Sequence, residues 1–254
     1  MIPVPRLLDE LVLHTAAFAD AAHTAGYDAP VPSCPDWTVR DLAAHLGGVH
    51  RWAVGTVRGG DTKLQRRRDD AAPMPESEDA ASTWLLEGAS AVAQAVRDVG
   101  EDTVVGGFGG PVPVRFWARR QCHETLVHRG DAELAAGVPP WSGVDPVIAA
   151  DAVTEHLEMI VMGARRRPEL RGEGQTLHLH ATDPGLGEAG EWVMTRTPEG
   201  PVVDHGHLKA DVAVRGPVVG LLGVVTNRLR PEDAGVDVLG ASELLEHWRE
   251  HAGF

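Results

Sequence analysis

The chain has 254 residues, of which 43% are hydrophobic and 24% charged, and its formal net charge is −14. This composition is ordinary for a globular protein and allows one large domain or two modest ones. The acidic balance argues against a nucleic acid or an anionic membrane as partner, because both are bound mainly through Lys and Arg. A dense basic run, residues 66–68, is followed at once by two aspartates and is interpreted as a solvated loop.

The cysteine content and the N-terminus indicate the compartment. The two cysteines cannot form a disulfide framework, and the first residues lack the apolar core of a signal peptide. No apolar run approaches the roughly 20 residues that a membrane span needs. We therefore expect a cytoplasmic protein.

Helical periodicity dominates the first two thirds of the chain. Thr38 and Asp41 resemble a capping box, so a helix should begin there, while Pro30, Pro32 and Pro35 exclude helix from the segment before it. Five helices are predicted. The first ends near Gly26, and the other four span about residues 38–57, 76–99, 113–136 and 146–167. These helices predict a bundle over residues 1–168.

The periodicity changes after a polar, glycine-containing linker at residues 168–175. Beyond it, apolar and polar residues alternate as in strands, with glycines marking turns. Strands are predicted at 176–181, 192–197, 210–215 and 236–239, and helices at 217–227 and 242–251. The fold class is therefore α+β, with the helical bundle followed by a small α/β domain over residues 175–254.

A divalent-metal site in the bundle is the strongest candidate site. Glu124 and His128 lie one turn apart on one helix face, so a carboxylate oxygen and an imidazole nitrogen can converge on one ion. His45 lies in an apolar helical stripe, where an imidazole needs a hydrogen bond or a metal. Two histidines and one carboxylate suit Zn²⁺ or another first-row ion and leave a coordination position open. The Glu124/His128 pair alone is weak support, since the polar stripe that contains it can equally face water.

Other histidines and both cysteines have plainer explanations. His50 can line the same cavity or only reach its rim. Cys34 and Cys122 lie near the candidate site in sequence but have no triad-like partner. Two further histidine pairs, on one strand face and in one glycine-containing turn, can each bind adventitious metal: His178 with His180, and His205 with His207.

Two segments of the sequence resemble the mycothiol-dependent maleylpyruvate isomerase family of actinobacteria. They are residues 31–46, Val-Pro-Ser-Cys-Pro-Asp-Trp-Thr-Val-Arg-Asp-Leu-Ala-Ala-His-Leu, and residues 123–131, His-Glu-Thr-Leu-Val-His-Arg-Gly-Asp. Residues 210–217 and the apolar helix after them are similar to the family's C-terminal domain. The resemblance implies a DinB-like, up-down four-helix bundle that binds metal, followed by a sterol-carrier-like α/β domain.

The resemblance also implies site residues. His45, Glu124 and His128 match the family's metal ligands, the same three residues that the spacing favours. The family places an arginine of the C-terminal domain at the cleft, and Arg228 is the best match, with Arg230 close behind. Gly130 departs from the family pattern, in which a bulky residue, commonly Trp, precedes the aspartate, so we expect an enlarged pocket or a shifted substrate.

The function that the resemblance implies is enzymatic. A divalent metal, with Zn²⁺ favoured, would bind the thiol of mycothiol, and the thiolate would add to a small, electrophilic, anionic substrate whose carboxylate Arg228 holds. The thiol leaves again in an isomerase and stays in a transferase. Two alternatives remain open: a thiol S-transferase of the same superfamily acting on another substrate, and a non-catalytic metal- or ligand-binding protein. A monomer or a homodimer is expected.

Overall fold

The computed structural model describes residues 2–64 and 73–253. Its contacts divide the chain into two compact units, residues 1–142 and residues 143–254. The basic run at residues 66–68 lies outside the described residues. Within the part of the chain that is described, no helix is both long and apolar enough to cross a membrane.

Four helices form the first unit. They are α1 (Val4–Ala25), α2 (Val39–Gly59), α3 (Glu78–Val99) and α4 (Arg115–Ala135). Helices α1 and α2 each pack against both α3 and α4, which closes a four-helix arrangement around a buried core. The predicted capping box is confirmed, since Thr38 Oγ1 accepts a hydrogen bond from Asp41 N at 3.3 Å and the Asp41 carboxylate accepts one from Thr38 N at 2.9 Å.

Two short hairpins connect the helices of the first unit. Strands β1 (Pro30–Val31) and β2 (Cys34–Thr38) pair before α2, and β3 (Val104–Gly107) and β4 (Gly110–Pro113) pair before α4. The second hairpin is fastened to the bundle because Trp117 Nε1 donates to the carbonyl of Gly106 at 2.9 Å. Strands of two to five residues with glycine or proline in them carry too little alternation to be predicted.

The second unit is a mixed sheet with three helices. The elements are α5 (Pro146–Met162), β5 (Thr176–Ala181), β6 (Glu191–Thr197), β7 (Gly200–His205), β8 (Val212–Gly216), α6 (Val218–Val225), β9 (Asp237–Gly240) and α7 (Ser242–His251). The strand order is β7-β6-β5-β8-β9, with β5 and β8 parallel and the other neighbours antiparallel. The predicted sequence of a helical region and then a sheet domain is therefore confirmed.

Helix α5 differs from its prediction in length and in partner. It ends at Met162 and is followed by two 3-10 turns, so its predicted last turn is not α-helical. It packs against α6 and β7, and Thr154 Oγ1 accepts a hydrogen bond from Trp192 Nε1 of β6 at 2.9 Å. The compact second unit therefore begins at residue 143 and includes α5, which was predicted to belong to the bundle.

Gly130 lies against the indole ring of Trp141. This ring is 1% exposed, and its Nε1 donates to the carbonyl of Leu126 in α4 at 2.7 Å. A Cβ atom on residue 130 would lie 2.3 Å from Trp141 Cε2, much closer than carbon atoms pack. The indole therefore fills the space that a side chain at position 130 would occupy.

We expect G130A to destabilise the protein by about 1–3 kcal/mol, because the added methyl group must displace a buried ring. The matched control is G55A. Gly55 is an exposed residue of α2. Among the described residues, apart from its chain neighbours and the backbone of its own helix, no atom lies within 4 Å of the Cβ that alanine would add. G55A should stabilise by about 0.5–1 kcal/mol through helix propensity. Urea unfolding of both variants checks this, and an equal stabilisation in the two would contradict the packing of Trp141 on Gly130.

Candidate metal centre

The side chains of His45, Glu124 and His128 converge inside the bundle. Helix α2 contributes His45, and α4 contributes the other two. Glu124 Oε1 lies 3.2 Å from His45 Nε2 and 3.4 Å from His128 Nε2. Each residue offers a ligand atom within 4.8 Å of the other two. Ligands about 2.1 Å from a tetrahedral ion are about 3.4 Å apart, so these residues fit a divalent metal with little movement.

A buried carboxylate orients one of the imidazoles. Asp131 is fully buried, its Oδ2 lies 2.8 Å from His128 Nδ1, and its Oδ1 accepts a hydrogen bond from Ser33 Oγ at 2.5 Å. With Nδ1 engaged in this way, His128 directs Nε2 toward Glu124, as metal-ligating histidines usually do. The sequence did not predict this role for Asp131. The spacing His-x-x-Asp on one helix was the available signal, whereas Ser33 lies too far away in sequence to be found.

The charges of the cluster compensate one another. Burial alone would raise the pKa of Glu124, but the neighbouring Arg120, His128 and His45 hold it well below its usual value. Arg120 Nη2 lies 2.5 Å from Glu124 Oε2, the oxygen that faces away from the imidazoles. Burial lowers the pKa of His128, but its hydrogen bonds with Asp131 and Glu124 prevail and raise that pKa to about 9. A metal that binds here at neutral pH would therefore displace a proton from His128.

A cavity of about 340 Å³ opens beside the three residues. Its described lining comprises His45, Val49, Trp52, Phe108, Arg120, Gln121 and Glu124. Three polar residues of α4, Arg120, Gln121 and Glu124, therefore face this cavity. His45 is more open than its apolar stripe suggested, with 27% of its side chain exposed. Gly130 is not among these lining residues, so the expectation that it enlarges the pocket was wrong.

His50 and the two cysteines do not line the described part of the cavity. His50 is fully buried, with Nε2 2.9 Å from Thr125 Oγ1, and burial lowers its pKa to about 3. Cys122 is fully buried in the bundle core, and Cys34 is half-buried in β2. Arg228 follows α6 after Thr226 and Asn227 in the second unit, and its Nη1 donates to the carbonyl of Thr226 at 2.7 Å. Its assignment to the cleft stays a prediction.

Comparison with known proteins places the chain in a family. The model of the mycothiol maleylpyruvate isomerase N-terminal domain matches residues 8–133, and the model of the C-terminal domain of that family matches residues 147–247. The chain belongs to the mycothiol-dependent maleylpyruvate isomerase family. This membership confirms the predicted resemblance and the expectation of an enzyme. No curated protein shows a significant match to the chain.

Solved structures of this family have the same fold. The crystal structure of the mycothiol-dependent maleylpyruvate isomerase matches with a TM-score of 0.61 and 17% sequence identity, covering 93% of each chain. A histidine-to-alanine mutant of that enzyme gives the same values. At this identity the likeness bears on the fold, and it confirms the predicted order of a helical region followed by a sheet domain.

We expect D131N to weaken Zn²⁺ binding to the bundle by about 10- to 100-fold, because His128 loses the carboxylate that orients it. Competition with a chromogenic chelator measures the affinity. E133Q is the matched control, since Glu133 is a buried carboxylate of the same helix that binds Arg129 and the backbone of Trp141 instead. E133Q should lower stability and leave the bundle's Zn²⁺ affinity unchanged. Equal affinities for D131N and wild type would show that Asp131 does not support a metal ligand.

Proposed function

We propose that this protein is a metal-dependent, mycothiol-using enzyme whose thiol cosubstrate adds to a small, electrophilic carboxylate substrate. One observation carries the proposal: a single oxygen of Glu124 faces the Nε2 atoms of both His45 and His128. This arrangement lies in a chain whose family is named for a mycothiol-dependent isomerase. Three protein ligands, rather than four, are typical of a metal centre that keeps a position open for chemistry.

The donor set favours Zn²⁺ among the common divalent ions. His45, Glu124 and His128 would hold the ion, which when bound would lower the pKa of the thiol from about 8.5 and make thiolate abundant at neutral pH. The protein's own residues prepare this centre. Asp131 fixes the ring of His128, and Arg120 holds one oxygen of Glu124 so that the other stays directed at the imidazoles.

The cavity supplies the rest of the site. Trp52 and Phe108 form an apolar wall of the cavity, with ring centroids 5.9 Å apart, against which the uncharged part of a substrate would pack. We assign the substrate carboxylate to Arg228, because a guanidinium binds a carboxylate through two parallel hydrogen bonds. The anionic substrate, the cytoplasmic location and the monomeric or dimeric state all stay predictions.

The proposed reaction begins when the thiolate sulfur donates an electron pair to an electrophilic carbon of a double bond. A C–S bond forms, and the π electrons move onto the conjugated carbonyl of the substrate. Rotation about the former double bond and expulsion of the thiolate give an isomer. Protonation without expulsion gives a thioether, which is the product of a transferase. The family name favours isomerisation, and product analysis distinguishes the two reactions.

We expect H128A to lose at least 100-fold in Zn²⁺ affinity at the bundle site and with it thiol-dependent turnover, because two ligands hold the ion far more weakly than three. Metal analysis and isothermal titration with Zn²⁺ measure the first effect, and an assay of thiol-dependent substrate loss measures the second. The control is the double variant C34A/C122A, which should retain most of its activity because the reactive sulfur belongs to the cosubstrate. Full metal content in H128A would refute the ligand assignment. Tight ligand binding by wild type without turnover would favour the non-catalytic alternative.

We expect R228A to raise KM for a carboxylate substrate at least 10-fold, because it removes the bidentate anchor. R228K should recover only part of this loss, since an ammonium group lacks the planar fork. R230A is the matched control, because Arg230 is an exposed neighbour with an ion pair to Glu232 at 3.9 Å. Steady-state kinetics with saturating thiol separate KM from kcat. Unchanged KM in R228A would mean that this arginine does not bind substrate.

A further inference from the structure

A second cluster of metal-ligating side chains lies within the sheet of the second unit. His178 and His180 are two residues apart in β5, so their side chains lie on the same face of the strand. Glu191 is the first residue of β6 and lies directly opposite His180 in the antiparallel register. His207 follows the end of β7. The Glu191 carboxylate meets all three imidazoles, with Oε2 2.7 Å from His178 Nε2 and Oε1 2.6 Å from His180 Nδ1 and 3.3 Å from His207 Nδ1.

We propose that His178, Glu191 and His207 form a second divalent-metal site, separate from the bundle centre and built from the second unit alone. Each of these residues offers a ligand atom within 4.8 Å of the other two. The imidazole rings of His178 and His207 are 4.9 Å apart and nearly perpendicular, at 89°, so that their nitrogens approach the carboxylate from different directions. Two imidazoles and a carboxylate are a donor set that Zn²⁺ prefers.

The donor atoms of the cluster suit a metal. His178 Nε2 and His207 Nδ1 both face the carboxylate of Glu191, from strand β5 and from the connection after β7. A divalent cation satisfies the imidazole lone pairs and the carboxylate together. Water has little access to hydrate the polar groups at the centre of the cluster, because the side chain of His178 is only 4% exposed.

His180 has a supporting role in this proposal. It lies outside the ligand set, and its Nδ1 holds Glu191 Oε1 at 2.6 Å, the kind of contact that orients a ligating carboxylate. His207 comes from the connection between β7 and β8, and its side chain is 72% exposed. Metal binding would therefore fasten this connection to the paired strands β5 and β6.

Zinc titration of the full chain tests the site. After removal of metal with a chelator, isothermal titration and equilibrium dialysis with Zn²⁺ should give two tight equivalents for wild type and one for E191Q or H207A. H205A is the matched control, because His205 Nδ1 contacts the backbone carbonyls of Glu188 and Glu191 rather than a carboxylate. H205A should retain both equivalents. Because His207 is exposed, H207A should leave the sheet folded, and circular dichroism checks this.

The zinc stoichiometry of the variants distinguishes the two sites. The bundle variant H128A should lose the first equivalent and keep the second, and the double variant H128A/H207A should bind no tight zinc. Loss of an equivalent in H207A alone, with H128A unchanged, would support the sheet site while contradicting the metal centre of the proposed function. Two equivalents retained in both E191Q and H207A, or a single wild-type equivalent that only H128A removes, would overturn the second site.

Discussion

A carboxylate oxygen held between two imidazole nitrogens is the interaction on which the first unit depends. A charged group inside a protein is costly unless neighbouring charges and hydrogen bonds compensate it. Glu124 obtains that compensation from Arg120 on its own helix and from His45 on α2, so the packing of α2 against α4 is also an electrostatic requirement. The capping box at Thr38 fixes where α2 begins and hence which of its residues face α4.

The sequence predicts part of this site because helical spacing is local. Glu124 and His128 are one turn apart, and that relation does not depend on the rest of the fold. Pairing them with His45 required a chemical argument, that an imidazole in an apolar stripe needs a partner, together with the family resemblance. Ser33 lay beyond such reasoning, because its contact with Asp131 spans 98 residues of sequence and arises from the turn of a hairpin.

The errors at Gly130 and α5 have a common cause. Periodicity shows which face of a helix is buried, but it does not show what that face packs against. For α5 the partner is the sheet of the second unit rather than the bundle. For Gly130 the missing side chain suggested empty space, and the indole of Trp141 fills that space from the loop after α4. The short strands were missed for a different reason, since a few residues containing glycine carry no clear alternation.

The two His-Glu-His clusters have the same ligand types but different supports, and the supports indicate what each can do. In the bundle all three ligands stand on long helices, and a buried carboxylate and a guanidinium fix the orientation of two of them. Such rigidity suits a centre that must hold reacting groups in one geometry. In the sheet, two ligands stand on paired strands, and the third, His207, belongs to an exposed connection. Metal bound there would order a loop, so its main consequence would be stability of the second unit, which would increase with the logarithm of the free metal concentration.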